Sequence, residues 1–245
     1  MKTIILAGGL GTRFSEETEN KPKPMILIDH RPILWHIMDI YASQGYSDFV
    51  IATGYKSEVI EEWIENLETD WKVTAINTGL NTQTGGRIKR CVDQLDDKVF
   101  FATYGDGLGN VNLKNLIAFH ESKKAKVTAT AVRPPARFGY LEIKDGLVTK
   151  FGEKDQVNEG WINGGFFLID RSVTDLVENE NEPFETGVLP KLTVRKEFYA
   201  YQHDGFWFPM DTRSEHKALT SYAKLSSPPW KIFKDSENNS TVNNS

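Results

Sequence analysis

Glycines at positions 8, 9 and 11 follow the apolar run from Thr3 to Ala7, and two cations, Arg13 and Lys23, come soon after. Glycine adopts backbone conformations closed to residues with a Cβ, so a glycine turn brings main-chain N–H groups close to a ligand. Arg13 adds a planar cation with several donors. Lys23 adds a compact one, on a segment stiffened by Pro22 and Pro24. Small residues with two cations at the end of a strand are suited to hold a polyanion such as a triphosphate. The spacing is neither G-x-G-x-x-G nor the Gly-Lys-Ser/Thr of a P-loop. A tight turn remains the plainer alternative for the glycines alone.

Asp106 lies in the string TYGDG, after the apolar run 99–104. Open α/β sheets place ligands at the C-terminal ends of strands, and a carboxylate there suits a hard divalent cation. Asp before Gly is also common in turns, which is the competing explanation. No Ser-His-Asp or Cys-His arrangement is evident. The histidines at 30, 36, 120, 203 and 216 show no metal-ligand spacing and are taken as structural.

These residues need elements to position them. Apolar strand-like runs (TIILA, DFVIAT, WKVTAI, KVFFATY, KVTATAV) alternate with helical patterns at Pro32 to Gln44, 57–67 with Ser57 as N-cap, Gly86 to Leu95, and Asn112 to Lys123. Continuously apolar strands alternating with helices predict a Rossmann-like three-layer α/β/α fold with a mainly parallel mixed sheet. After Arg133, YLEIKDGLVTKF predicts a hairpin about an Asp-Gly turn, WINGGFFLID one strand, and EFYAYQHD a late strand. Short and final helices are expected from Ser172 and over Ser214 to Leu225. One domain over 1–230 is expected, with a nucleotide-binding half to about 132 and a mixed substrate-binding half from 133 to 230. Residues 231–245 are expected to be a disordered tail.

The chain has 245 residues, 39% hydrophobic and 26% charged, with a net charge of -5. Its pI is near 5.6 and its mean hydropathy is -0.43. That balance argues against coating nucleic acid, and no apolar run approaches the ~20 residues of a membrane span, so neither nucleic acid nor membrane is an expected partner. The single cysteine, Cys91, excludes a disulfide framework and fits a reducing cytoplasm.

The string GGLGTR followed by KPKPM resembles the sugar-1-phosphate nucleotidyltransferases, the NDP-sugar pyrophosphorylases. LNTQTGGRIKR (80–90), TYGDG (103–107), RPPARFGYLEI (133–143), WINGGFF (161–167) and HDGFWFPMDT (203–212) are similar to the family's glucose-1-phosphate cytidylyltransferase branch. The resemblance covers roughly 1–230 and implies the nucleotide-diphospho-sugar transferase fold. It also implies Mg²⁺-dependent transfer of a cytidylyl group from CTP to α-D-glucose 1-phosphate, with UTP, dTTP or another sugar phosphate as alternatives. A non-catalytic nucleotide-sugar-binding module is a third possibility.

The catalytic set it implies is Arg13, Lys23 and Asp106, with Asp106 and Asp211 holding Mg²⁺; a helix N-cap is the alternative for Asp211. The nucleotide is assigned to Leu6, Ala7, Gly8, Gly9, Gly11, Thr12, Arg13, Lys23, Thr82, Gly86, Arg87 and Gly105. In that set Thr82 and Arg87 read the base, or else serve as a helix cap and a solvated cation. The sugar phosphate is assigned to Gly139, Tyr140, Glu153, Lys154, Asn163 and Gly164. Glu153-Lys154-Asp155 departs from the Glu-Lys-Pro usual in the family, and the short connection from Trp63 to Trp71 replaces a longer excursion. A homo-oligomer is left open.

Overall fold

A computed structural model describes residues 1–12, 18–134, 140–144, 146–152 and 160–231, with backbone alone at 140–143 and 150–152. The first half runs β1 (Thr3–Leu6), β2 (Leu27–Ile28), β3 (Arg31–Pro32), α1 (Ile33–Ala42), β4 (Asp48–Thr53), α2 (Ser57–Glu65), β5 (Lys72–Asn77), α3 (Thr84–Cys91), β6 (Val99–Tyr104), β7 (Gly107–Gly109) and α4 (Leu113–Lys123). The second half runs β8 (Val127–Val132), β9 (Tyr140–Lys144), β10 (Leu147–Gly152), β11 (Ile162–Asn163), β12 (Phe167–Asp170), α5 (Leu189–Val194), β13 (Phe198–His203), β14 (Trp207–Pro209) and α6 (Arg213–Ala223).

Eight strands form the main sheet, in which β5, β4, β1 and β6 lie side by side and parallel. β12 runs antiparallel between β6 and β8, and β13 pairs parallel with β8. Successive strand residues enter different cores, as a pleated strand requires. Ile5, Phe49, Ile51, Phe101 and Leu168 pack with α1, α2, α4 and α6. Ile4, Val50, Ala52, Phe100, Phe167 and Ile169 pack with α3 and α5. The sheet therefore has a helical layer on each face, the expected three-layer architecture.

Three local details differ from the sequence reading. Ser57 is not an N-cap: Lys56, at φ 49, holds that position, and the Ser57 hydroxyl accepts a hydrogen bond from Asn77 Nδ2 at 2.9 Å. WINGGFFLID is not one continuous strand. β11 and β12 both pair with β8 but in registers offset by two residues, with Gly164, Gly165 and Phe166 bulged between them. Positive φ at Gly165 (76) and Phe166 (45) makes that bulge. Third, two ribbons too short to show a periodic pattern are present, β2 with β3 and β7 with β14. The hairpin of β9 and β10 forms as expected, its turn supported by Gly146 at φ 82.

Near the C-terminal end of the described chain, Trp230 is only 3% exposed and packs edge-on to His36 and against Phe206. It pins the segment after α6 to the core beside α1. The tail expected over 231–245 lies outside the described residues except for Lys231. Trp230→Ala is expected to lower the unfolding free energy by about 3 kcal/mol, measured by urea denaturation.

Candidate active site

β1 is followed in the sheet by β4 and β5 on one side, while β6 lies on the opposite side of β1. The boundary between β1 and β6 is thus where the strand order reverses, and a crevice opens there at the C-terminal strand ends. Leu6, Ala7, Gly8, Gly9, Gly11, Thr12, Lys23, Thr82, Arg87, Gly105 and Asp106 all line one cleft of about 360 Å³. Leu10, Pro24, Leu80, Gln83, Thr84 and Tyr104 complete its walls. Arg13 lies outside the described residues.

The glycine turn is held from beneath. The Gly8 carbonyl accepts hydrogen bonds from the Tyr55 N–H at 3.2 Å and from Arg87 Nη2 at 2.9 Å. A Cβ on Gly8 would lie 1.9 Å from Arg87 Nη1, so only glycine tolerates that approach. Gly11, at φ 65, turns the chain back toward Thr18.

Arg87 is neither solvated nor aimed outward. It is 5% exposed and, besides Gly8, donates from Nη1 to the Thr53 carbonyl at 2.9 Å and to Thr78 Oγ1 at 2.6 Å. A longer contact from Nη2 reaches the Leu80 carbonyl at 3.3 Å. Burial lowers its pKa, but four acceptors compensate the charge. The guanidinium therefore ties together the loops after β1, β4 and β5, and its two terminal nitrogens are engaged by their oxygens. Thr82 is 7% exposed, and its hydroxyl donates to the Thr78 carbonyl. Gly86 does not line the cleft: a Cβ there would meet the Glu180 carbonyl at 2.4 Å, so its role is to let α3 lie against that backbone.

The acids are brought together by the ribbon of β7 and β14. Gly107 pairs with Pro209, and the Met210 N–H donates to the Asp106 carbonyl at 2.8 Å, which sets Asp106 beside Asp211. Lys23 reaches them from a 3₁₀ turn, Lys23–Met25, closed by Met25 N–H to the Pro22 carbonyl at 2.8 Å. Its Nζ lies 2.7 Å from Asp106 Oδ2 and 2.7 Å from Asp211 Oδ1. Burial would lower the lysine pKa, but Asp106 first and Asp211 second outweigh it, and the net shift is upward. Asp211 is not the cap of α6. Thr212 is, its hydroxyl accepting from the Glu215 N–H at 3.2 Å. Two carboxylate oxygens converging on one cationic point fit the sparse protein ligation of Mg²⁺.

Beside the cleft wall at Tyr104, Asn163 Nδ2 donates to the Tyr104 hydroxyl at 2.9 Å, and that hydroxyl donates to Glu185 Oε1 at 2.7 Å. The other oxygen of Glu185 accepts from Thr84 Oγ1 at 2.6 Å, at the start of α3. Glu185, on a π-helical turn (Phe184–Val188), thus links Asn163, through Tyr104, to the cleft wall at Thr84; its sequence context carries no motif that would have exposed it. Gly164 lies at the bulge, its carbonyl accepting from Trp207 Nε1 at 2.9 Å. Neither Asn163 nor Gly164 lines the cleft around the glycine turn. Gly139, Glu153, Lys154 and the Tyr140 side chain lie outside the described residues.

Four histidines make structural contacts: His36, His203 and His216 with backbone carbonyls and His120 with the Thr128 hydroxyl. The removal of Arg87 tests the brace beneath the loop. Arg87→Ala is expected to cost about 2–4 kcal/mol of stability, since it strands several buried acceptors. Arg87→Lys should recover less than half of that loss, because an ammonium cannot span the same fork. Thermal unfolding of the three proteins measures both.

The family model for nucleotidyl transferase matches residues 2–218. A curated glucose-1-phosphate cytidylyltransferase from Salmonella typhimurium is 42% identical, covering 95% of this chain and 100% of the relative. One from Bacillus subtilis, named as probable, is 38% identical over the same shares. Among solved structures, HddC from Yersinia pseudotuberculosis superposes with a TM-score of 0.73 at 25% identity, covering 91% of this chain and 99% of that one. A UDP-glucose pyrophosphorylase complexed with UDP-glucose, 16% identical with a TM-score of 0.69, shares the fold. The family match spans the glycine turn, Lys23, Asp106 and Asp211 together, and the chain belongs to the nucleotidyl transferase family.

Proposed function

We infer that this chain is a glucose-1-phosphate cytidylyltransferase, which joins the cytidylyl group of CTP to α-D-glucose 1-phosphate and releases diphosphate. The observation that carries the reading is near-full-length identity of 42% to a relative of that name. The cleft supports it: the glycine turn, Lys23 and Asp106 line a crevice at the strand-order switch point, and Asp211 meets the same lysine from the turn before α6.

In this reading the triphosphate lies along Gly8, Gly9 and Gly11, with Arg13 and Lys23 neutralising its charge. An oxygen of the sugar phosphate attacks the α-phosphorus. The new P–O bond forms as the bond to the oxygen bridging to the β-phosphate breaks, and the diphosphate leaves with that electron pair. The nucleophile is already an anionic phosphate oxygen, so no side chain has to remove a proton. Catalysis then consists of positioning and charge neutralisation. Asp106 and Asp211 would hold Mg²⁺, which when bound supplies further positive charge at the phosphates. The base rests against Leu80, Thr82 and Gln83, on a wall whose shape Arg87 maintains. Asn163 and Gly164 serve the sugar phosphate, joined by Gly139, Tyr140, Glu153 and Lys154 from the family resemblance. The single cysteine, a buried free thiol, suits action in the reducing cytoplasm.

Diphosphate release from CTP, UTP, dTTP and GTP, each with glucose 1-phosphate and Mg²⁺, tests the reading. CTP is expected to give the highest kcat/KM, and Asp106→Asn to lower turnover with CTP by at least ~10²-fold. A higher kcat/KM with another nucleotide would remove the cytidylyl assignment. Nucleotide binding without turnover in the parent chain would point to the non-catalytic module.

A further inference from the structure

We propose that Lys23 is an internal cation that keeps the pair Asp106 and Asp211 closed to divalent metal until nucleotide phosphates draw its ammonium away. The proposal rests on the nucleotidyltransferase reading for the identity of the phosphates, and on the geometry for the exclusion itself. Nζ stands 2.7 Å from one oxygen of each carboxylate. Mg²⁺ bound by the same two oxygens would sit at about 2.0–2.1 Å from each, within the space the ammonium fills. Ammonium and metal cannot occupy it together.

The surroundings leave the lysine side chain as the part that moves. Its backbone is locked between Pro22 and Pro24, with the Ile26 N–H bonded to the Lys23 carbonyl at 3.1 Å. The backbones that carry the carboxylates are held by the Met210 N–H on the Asp106 carbonyl and by the Asp211 N–H, which donates to Glu215 Oε2 at 2.8 Å. The Lys23 side chain is 9% exposed and that of Asp211 15%, so water screens this contact poorly. Among the described residues no cluster of three or more His, Cys, Asp or Glu could hold a metal. A metal here must compete with the Lys23 ammonium for both carboxylates, while shedding water reluctantly.

A triphosphate changes that balance. Lys23 lines the cleft, so phosphate oxygens can take over its ammonium and free the acid pair, while adding their own oxygens to the metal. Metal and nucleotide then favour each other's binding by the same factor, as linkage requires.

The test is Mn²⁺ binding to the nucleotide-free chain, followed by the electron paramagnetic resonance signal of free Mn²⁺. Lys23→Met and Lys23→Gln are expected to bind Mn²⁺ at least ~10-fold tighter than the parent, a difference of about 1.4 kcal/mol. Lys23→Arg keeps a cation in place and should stay within ~3-fold of the parent, inside the usual scatter of such effects. Adding Asp211→Asn to Lys23→Met should abolish the gain, assigning it to the acid pair. Equal or weaker Mn²⁺ binding by both neutral variants, with melting curves showing them folded, overturns the proposal. Lys23→Arg tests it even if the neutral variants fail to fold: Mn²⁺ binding tighter than the parent by ~10-fold would overturn it. Calorimetric titration with CTP is run separately. Its failure would count against the nucleotide reading and leave the metal result standing.

Discussion

Two carboxylates placed side by side at the edge of a buried cleft repel each other, and the site holds together because one cation is always shared between them. Here that cation is the Lys23 ammonium, in contact with Asp106 and Asp211. The contact closes a span of 188 residues along the chain, from the segment between β1 and β2 to the turn before the last helix. Removing either acid takes away one of the two carboxylates that offset the cost of burying the lysine.

Everything around that triad serves to fix where its three backbones lie. The ribbon of β7 and β14 is three residues on each side, yet its register decides that Asp106 and Asp211 are neighbours. Two prolines fix the lysine turn. Arg87 performs the corresponding task for the glycine turn, buried beneath three strand-end loops with its terminal nitrogens on their oxygens. Glu185 does so for the far wall, joining Tyr104, Thr84 and, through Tyr104, Asn163. The site is thus a set of loops at the switch point of a rigid sheet, each loop stapled by a charged or polar side chain that substrate need not touch.

The three-layer sheet was legible because its strands are apolar throughout and separated by helical spacing, and their alternate residues do enter opposite cores. Lys23 and Asp106 were legible because local sequence marks them: proline on both sides of one, a strand end and two glycines around the other. Arg87 shows the limit. Its identity reveals a charge and its position a helix, but the direction of its fork depends on the carbonyls of Thr53 and Gly8, distant in sequence. Glu185 was hidden for the same reason, lying 101 residues from the threonine it binds. Gly86 was assigned to the nucleotide, whereas its missing Cβ makes way for the backbone at Glu180. Trp230 sits in a polar, proline-containing stretch whose composition gives no sign that one aromatic side chain returns to the core.

The exchange of one cation for another at the acid pair is most directly seen by diffraction from crystals of the chain with a non-hydrolysable CTP analogue and Mn²⁺. An anomalous peak between Asp106 Oδ2 and Asp211 Oδ1, with Lys23 Nζ moved onto a phosphate oxygen and the triphosphate along Gly8 to Gly11, is the expected result. Manganese bound elsewhere, or Lys23 still bridging both carboxylates beneath an ordered nucleotide, would contradict it.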